Sequence, residues 1–181
     1  MTSKLNLNPQ EILDEVKSHM AIDKEGMFTL LGRRIVVCPS GVFGDIMSTA
    51  AEIGGINTAK IFARKSGYKN ATIVAKMIKE VLKLDGNDLV TYYVQTAGKR
   101  GWGFTTAEKV SKDKGIIRVS IKFSPWVIGF PEGAPVPVCD FLAGSIEAMC
   151  HVAGFAKDFR VIETKCVAKG DDVCHFQERI M

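Results

Sequence analysis

The chain has 181 residues, 46% of them hydrophobic and 24% charged, with a formal net charge of +4. That length fits one domain able to bury roughly 70% of its unfolded surface. The small, scattered positive charge argues against a nucleic-acid-binding surface, and no apolar run approaches the ~18 residues of a membrane span. The densest basic series (Lys60, Arg64, Lys65, Lys69, Lys76, Lys79 and Lys83) has the spacing of one solvated helix face. The opening Met1-Thr-Ser-Lys-Leu-Asn is too polar for a secretory signal. Five cysteines without an export signal point to a reducing, cytoplasmic setting, where they serve as ligands or core thiols and not as disulfides.

Asn8-Pro9-Gln10-Glu11 reads as a helix start: Asn8 caps, Pro9 takes the first helical position and Glu11 closes a capping box. Ile12, Leu13, Val16 and Met20 continue it as one apolar stripe. Residues 1–26 are therefore expected to form an N-terminal helix and lead-in, and 27–181 a single domain. Met27–Leu31 and Arg34–Cys38 are β-type runs about Gly32-Arg33, a hairpin ended by Pro39-Ser40-Gly41. From Val42 to about Leu84 the pattern is helical, and Gly54-Gly55 and Gly67 mark either breaks or close packing. Asp88 is expected to cap a further helix, Leu89 to about Ala97. Phe104–Val110 and Ile116–Phe123 read as strands about the polar turn 111–115. Four of the six prolines then fall in the loop Ser124–Pro137. Val138–Val152 is an apolar-striped helix stopped by Gly154, and a hairpin over 161–179 closes the chain. Consecutive strand pairs separated by helices predict an α+β domain, an antiparallel sheet packed against several helices.

The last hairpin carries the most pointed chemistry. Glu163, Cys166 and Cys174 flank the turn Lys169-Gly170-Asp171-Asp172, and thiolates with a carboxylate make a plausible zinc set. A fourth ligand is expected from the preceding helix, which offers Cys139 near its start and Cys150 near its end. About 16 Å of helix, at ~1.5 Å per residue, separates those two, so both cannot join one ion. Spacing leaves the choice open. Cys166 and Cys174 share a sheet face only if their pairing register sums to an even number. Glu163 and Cys166 lie three apart, so a regular strand would point them to opposite faces. A bulge or a strand end between them is required.

Other constellations are weaker. Gly98-Lys-Arg-Gly101-Trp-Gly103 follows a helix and enters a strand, the reverse of a phosphate cradle, and reads as a helix cap with Trp102 on the core. His19 falls on a polar helix side, His151 ends a helix, and His175 should face away from Cys174. No Ser-His-Asp or Cys-His set can be assembled, so an enzyme is not expected. Phe43, Met47, Phe62, Tyr93, Trp102, Phe123, Trp126 and Phe130, with Tyr92 and Phe141, are candidates to line an apolar pocket. The long loop bearing Trp126 and Phe130 is the best placed to cover a site.

From about Gly32 to Phe176 the chain resembles the 4-vinyl reductase domain family. The likeness rests on Gly32-Arg33-Arg34-Ile-Val-Val, Ala63-Arg64-Lys65-Ser66-Gly67-Tyr68, Arg100-Gly101-Trp102-Gly103, Ala143-Gly144, and above all Glu163-Thr-Lys-Cys166 with Gly170-Asp171-Asp172-Val-Cys174-His-Phe176. The resemblance implies a fold similar to vesicle-tethering complex subunits, a homodimer, and an internal pocket for a small hydrophobic or aromatic molecule. Phenol-sensing activators with a similar domain hold zinc through a Cys of the late-helix region, then Glu-x-x-Cys and a Cys eight residues on. That pattern implies Cys139, Glu163, Cys166 and Cys174 as ligands and makes Cys139 the preferred fourth. Their ATPase and DNA-binding domains have no counterpart here, so a sensing output would pass through a separate partner protein. An assembly adaptor is the first alternative function, and a tetrapyrrole vinyl reductase-type enzyme the second.

Overall fold

A computed structural model of the chain describes residues 10, 14, 17, 18, 20–30 and 33–179. The expected N-terminal helix and His19 lie largely or wholly outside the described residues. Contacts divide the chain into two units, Met1–Pro39 and Ser40–Met181; the sequence reading had placed a division after residue 26.

The first unit holds an antiparallel sheet in the order β1 (Met20–Ile22), β2 (Phe28–Leu30), β3 (Arg33–Arg34). Met20 opens a strand here; the apolar stripe had assigned it to the helix. Asp23 builds the first turn, its Oδ1 accepting from the Glu25 and Met27 amides at 3.0 and 2.9 Å. The second predicted strand is shorter than the run 34–38, because Val36 and Val37 are exposed and outside any strand.

The second unit contains α1 (Val42–Gly54), α2 (Ile56–Leu82), α3 (Gly86–Ala97), β4 (Phe104–Ser111), β5 (Ile116–Lys122), α4 (Asp140–Val152), β6 (Val161–Lys165) and β7 (Cys174–Glu178). The four strands form one antiparallel sheet in the order β4-β5-β7-β6. The α+β class expected from the strand pairing is the one observed. Gly55, at φ 78°, is the break between α1 and α2. Gly67 is the close approach: a Cβ there would overlap the Phe141 carbonyl oxygen, and one at Gly144 would overlap that of Arg64. Small residues on both helices thus let α2 and α4 pack backbone against backbone. Every residue of α4 from Leu142 to Cys150 is buried, so this helix is the centre of the unit.

Two details depart from the sequence reading. Asp85, not Asp88, caps α3, its Oδ1 accepting from the Gly86 amide at 2.8 Å. The basic series of α2 is also not one solvated face. Lys65, Lys69 and Lys76 are exposed, but Lys60 and Arg64 turn inward to Asp140 at 3.0 and 3.5 Å. Among the described residues, no helix is long and apolar enough to cross a membrane.

Candidate metal centre and aromatic cluster

Four elements converge at one end of α4. Cys139 is the residue before the helix, Glu163 lies in β6, Cys166 follows β6 directly, and Cys174 opens β7. The register explains how the hairpin gathers them. Glu163 pairs with Phe176, whereas Lys165 pairs with His175, so the ladder slips by one residue at Thr164. This is the bulge that the three-residue spacing of Glu163 and Cys166 demanded, and it brings both side chains to one side. After the bulge the register sum is even, as the shared face of Cys166 and Cys174 required. Gly170, at φ 97°, turns the chain after a short 3₁₀ segment, Val167–Lys169. Asp171 locks the turn by accepting from the Cys166 amide at 2.8 Å.

One ligand atom from each of Cys139, Glu163, Cys166 and Cys174 lies within 4.8 Å of the others, and all three cysteines are buried. The Cys139 and Cys174 sulfurs are 3.7 Å apart. The Cys139 amide donates to Glu163 Oε2 at 2.8 Å, and the Val167 amide to Cys174 Sγ at 3.5 Å. Glu163 Oε1 is buried without a partner, and no ion pair reaches any of the four among the described residues. Four acidic groups therefore share a largely buried site with no cation paired to them among the described residues. Burial, then the neighbouring Cys166, lifts Glu163 from its ordinary 4.5 to about 9. The Cys139 and Cys174 thiols donate to Cys166 and draw it down to about 2. Burial, then Cys166 and Cys174, hold the Cys139 thiol well above its ordinary range. Cys139 lowers Cys174, but Cys166 and burial outweigh that and push its thiol up. The donor set, three sulfurs and a carboxylate with one oxygen orphaned, fits a soft divalent cation such as zinc in a closed tetrahedral site. Cys150 is not part of it. That thiol is buried near the far end of α4, where burial and then the Glu147 charge raise it.

The predicted pocket residues are only partly brought together. Phe43, Trp102, Trp126 and Phe141 form one ring cluster, with centroids 4.7–5.4 Å apart. Met47 is buried, and Tyr93 and Phe130 are partly buried against the same core. Phe62 and Phe123, by contrast, are 57% and 78% exposed. Phe62 misses the inward stripe Ala59-Ala63-Gly67 by one position. Phe123, expected to end the strand, instead follows β5 at φ 58°, with its side chain out of the core. The proline loop joins the cluster to the metal end: Ser124 Oγ lies 3.4 Å from Cys139 Sγ and accepts from the Trp126 amide at 3.3 Å. The Trp126 indole N–H is buried without an acceptor.

His175 faces away from Cys174, as expected. Its ring lies 3.0 Å from Thr164 Oγ1 and 3.3 Å from Glu108 Oε2. Both partners sit at register slips, of β6 and β4 respectively. No spacing rule reaches across two bulges, so this hydrogen-bonded chain was invisible in the sequence.

The class is thus an α+β domain whose C-terminal hairpin and central helix enclose a cluster of three thiols and one carboxylate. The family model of the 4-vinyl reductase domain matches residues 117–179, which bears out the resemblance to that family. Solved structures share the fold. The phenol-responsive sensory domain of the transcription activator PoxR, with phenol, superposes with a TM-score of 0.74 at 15% identity, covering 98% of this chain and 90% of that one. A trafficking protein particle complex subunit 3 from Naegleria fowleri, covalently bound to palmitic acid, gives 0.59 at 15%, covering 78% and 92%. A vinyl-4-reductase family protein from Methanocaldococcus jannaschii gives 0.52 at 14%, covering 99% and 98%. Identities this low speak for the fold alone. No similar protein emerges among curated sequences.

Proposed function

We propose that the chain is a non-catalytic sensory domain that binds a small aromatic molecule, with a structural zinc pinning its C-terminal hairpin to α4. The observation that carries the ligand reading is the Trp126 indole N–H, buried between the Phe43 and Phe141 rings with nothing to accept it. A buried donor left unpaired costs about 1–3 kcal/mol, so an incoming oxygen acceptor is favoured there. A phenol-like ring supplies both the oxygen and the stacking surface, and phenol is what the PoxR domain holds.

Zinc on Cys139, Glu163, Cys166 and Cys174 would supply the missing positive charge and fix the loop that carries Trp126, through Ser124. The domain would act as a homodimer in the cytoplasm and signal through a separate protein. A dimer face is suggested by exposed Ile46 and Ile53 beside Asp45 and Glu52 on α1, against exposed Ile61 and Ile73 beside Lys65 and Lys69 on α2. The same exposed apolar residues favour, as a second reading, an adaptor that docks another subunit.

Calorimetric titration with phenol tests the sensory reading. Wild type should bind, and Trp126→Phe, which keeps a ring but removes the donor, should bind about tenfold more weakly. No heat with wild type, or equal affinity in the variant, contradicts it.

A further inference from the structure

The far end of α4 borders an open cleft. This cleft, of about 440 Å³, is lined by Tyr68, Glu147, His151, Phe155, Lys157 and Arg160. That volume is within the range of small-ligand sites. It shares no lining residue with the ring cluster or the thiols.

The charges of this cleft do not cancel. Glu147 is buried, and its Oε2 accepts from the Arg64 guanidinium and from the Val161 amide. Its charge is therefore matched from within α2. Arg160 approaches the other carboxylate oxygen only to 3.9 Å, and its Nη1 instead donates to the Phe159 and Lys157 carbonyls at 2.9 and 3.3 Å. Those bonds hold the guanidinium at the rim, half exposed, with the exposed Lys157 beside it. Two positive groups remain for an anion.

The polar chain at the back of the cleft has a defined direction. His151 Nε2 lies 3.0 Å from the Phe159 carbonyl, which can only accept, so Nε2 carries the hydrogen. Neutral His151 then has a bare Nδ1, and the Tyr68 hydroxyl, 2.9 Å away, must donate to it. Tyr68 Oη keeps its lone pairs for a donor from elsewhere. Phe155, buried and packed on Phe159 with ring centroids 4.9 Å apart, supplies an apolar wall.

We infer that this cleft binds a small carboxylate that also carries a hydroxyl or amine donor and an apolar body. Arg160 and Lys157 hold the carboxylate, Tyr68 Oη accepts from the donor, and Phe155 covers the apolar part. The helix C-terminus at His151 weakens the hold on any anion, so the second contact, at Tyr68 Oη, is needed to discriminate among carboxylates.

Three probes with one ring separate these contributions: 3-phenyllactate, 3-phenylpropionate, which lacks the hydroxyl, and phenethylamine, which lacks the carboxylate. Affinities are measured by calorimetry on the full chain, and the site is located by the imidazole resonances of His151. 3-Phenyllactate should bind about threefold to tenfold more tightly than 3-phenylpropionate and should shift His151, with phenethylamine weakest. Tyr68→Phe should abolish the difference between the two carboxylates, while Arg160→Gln weakens both. Trp126→Phe should leave all three affinities unchanged, which separates this site from the proposed phenol site. The inference is overturned if 3-phenyllactate fails to bind, if phenethylamine equals it, if the Trp126 indole responds in place of His151, or if Tyr68→Phe preserves the ratio. Unchanged melting of Tyr68→Phe confirms that the variant reports on binding and not on folding.

Discussion

The two ends of α4 are held by opposite chemistry. At its C-terminal end Glu147 is answered inside the chain, by Arg64 from α2 and by the Val161 amide. At its N-terminal end Lys60 and Arg64 answer Asp140, but among the described residues no ion pair reaches the three thiols and Glu163, whose Oε1 is left without a partner. A buried acid is tolerated only when compensated, so Glu147 is complete as it stands, while the thiol–carboxylate cluster is where the proposed zinc would add the positive charge.

The sharpest way to break the comparison is to remove the proposed zinc. Cys166→Ser, or chelation of the wild type, should lower stability by about 4 kcal/mol or more in chemical denaturation, a size that loss of a structural metal reaches. Chelator should add nothing to the variant. Equal stability of stripped and loaded protein would remove the asymmetry altogether. Disturbing the self-sufficient end should cost less and ignore chelator. Arg64→Met strands the Glu147 carboxylate, with an expected loss of about 3 kcal/mol in the same assay. A loss that vanished on chelation would show that the two ends are not independent.

How visible each end was in the sequence follows from the same contrast. The donors of a candidate metal grip are legible when they lie close together: Glu163, Cys166 and Cys174 crowd one hairpin, and their spacing even forecasts the bulge at Thr164. The choice of Cys139 over Cys150 was open on spacing and was indicated only by the family resemblance. The C-terminal end is built from single residues of α2, α4 and the 155–160 segment, tens of positions apart. Nothing in their spacing marks them, and Arg64 was even read as part of a solvated face. The hairpin and helix periods were legible because they are local. The exposed Phe62 and Phe123 were not, since one register step or one positive φ decides which way a large apolar side chain turns.

The smallest expected effect is on pH dependence. In the metal-free fold Glu163, raised from 4.5 to about 9, adds stability that is complete below pH 4.5 and lost as pH climbs towards 9. Cys166, lowered from 9.0 to about 2, adds stability that is complete above pH 9 and lost as pH falls towards 2. Between 4.5 and 9 the slopes oppose, one proton retained against one released, and they cancel. The loaded protein has no such balance, because the metal displaces protons from its ligands. The melting-temperature gap between loaded and stripped protein should therefore narrow from about pH 8 to about pH 5. A constant gap would mean that ligand protons are not being displaced.

Zinc content per chain, measured by atomic emission on the wild type and single-cysteine variants, tests the centre of this account most directly. One zinc per chain is expected in the wild type and in Cys150→Ser, and none in Cys139→Ser, Cys166→Ser or Cys174→Ser. Zinc kept by the Cys139 variant, or lost from the Cys150 variant, would contradict the assignment.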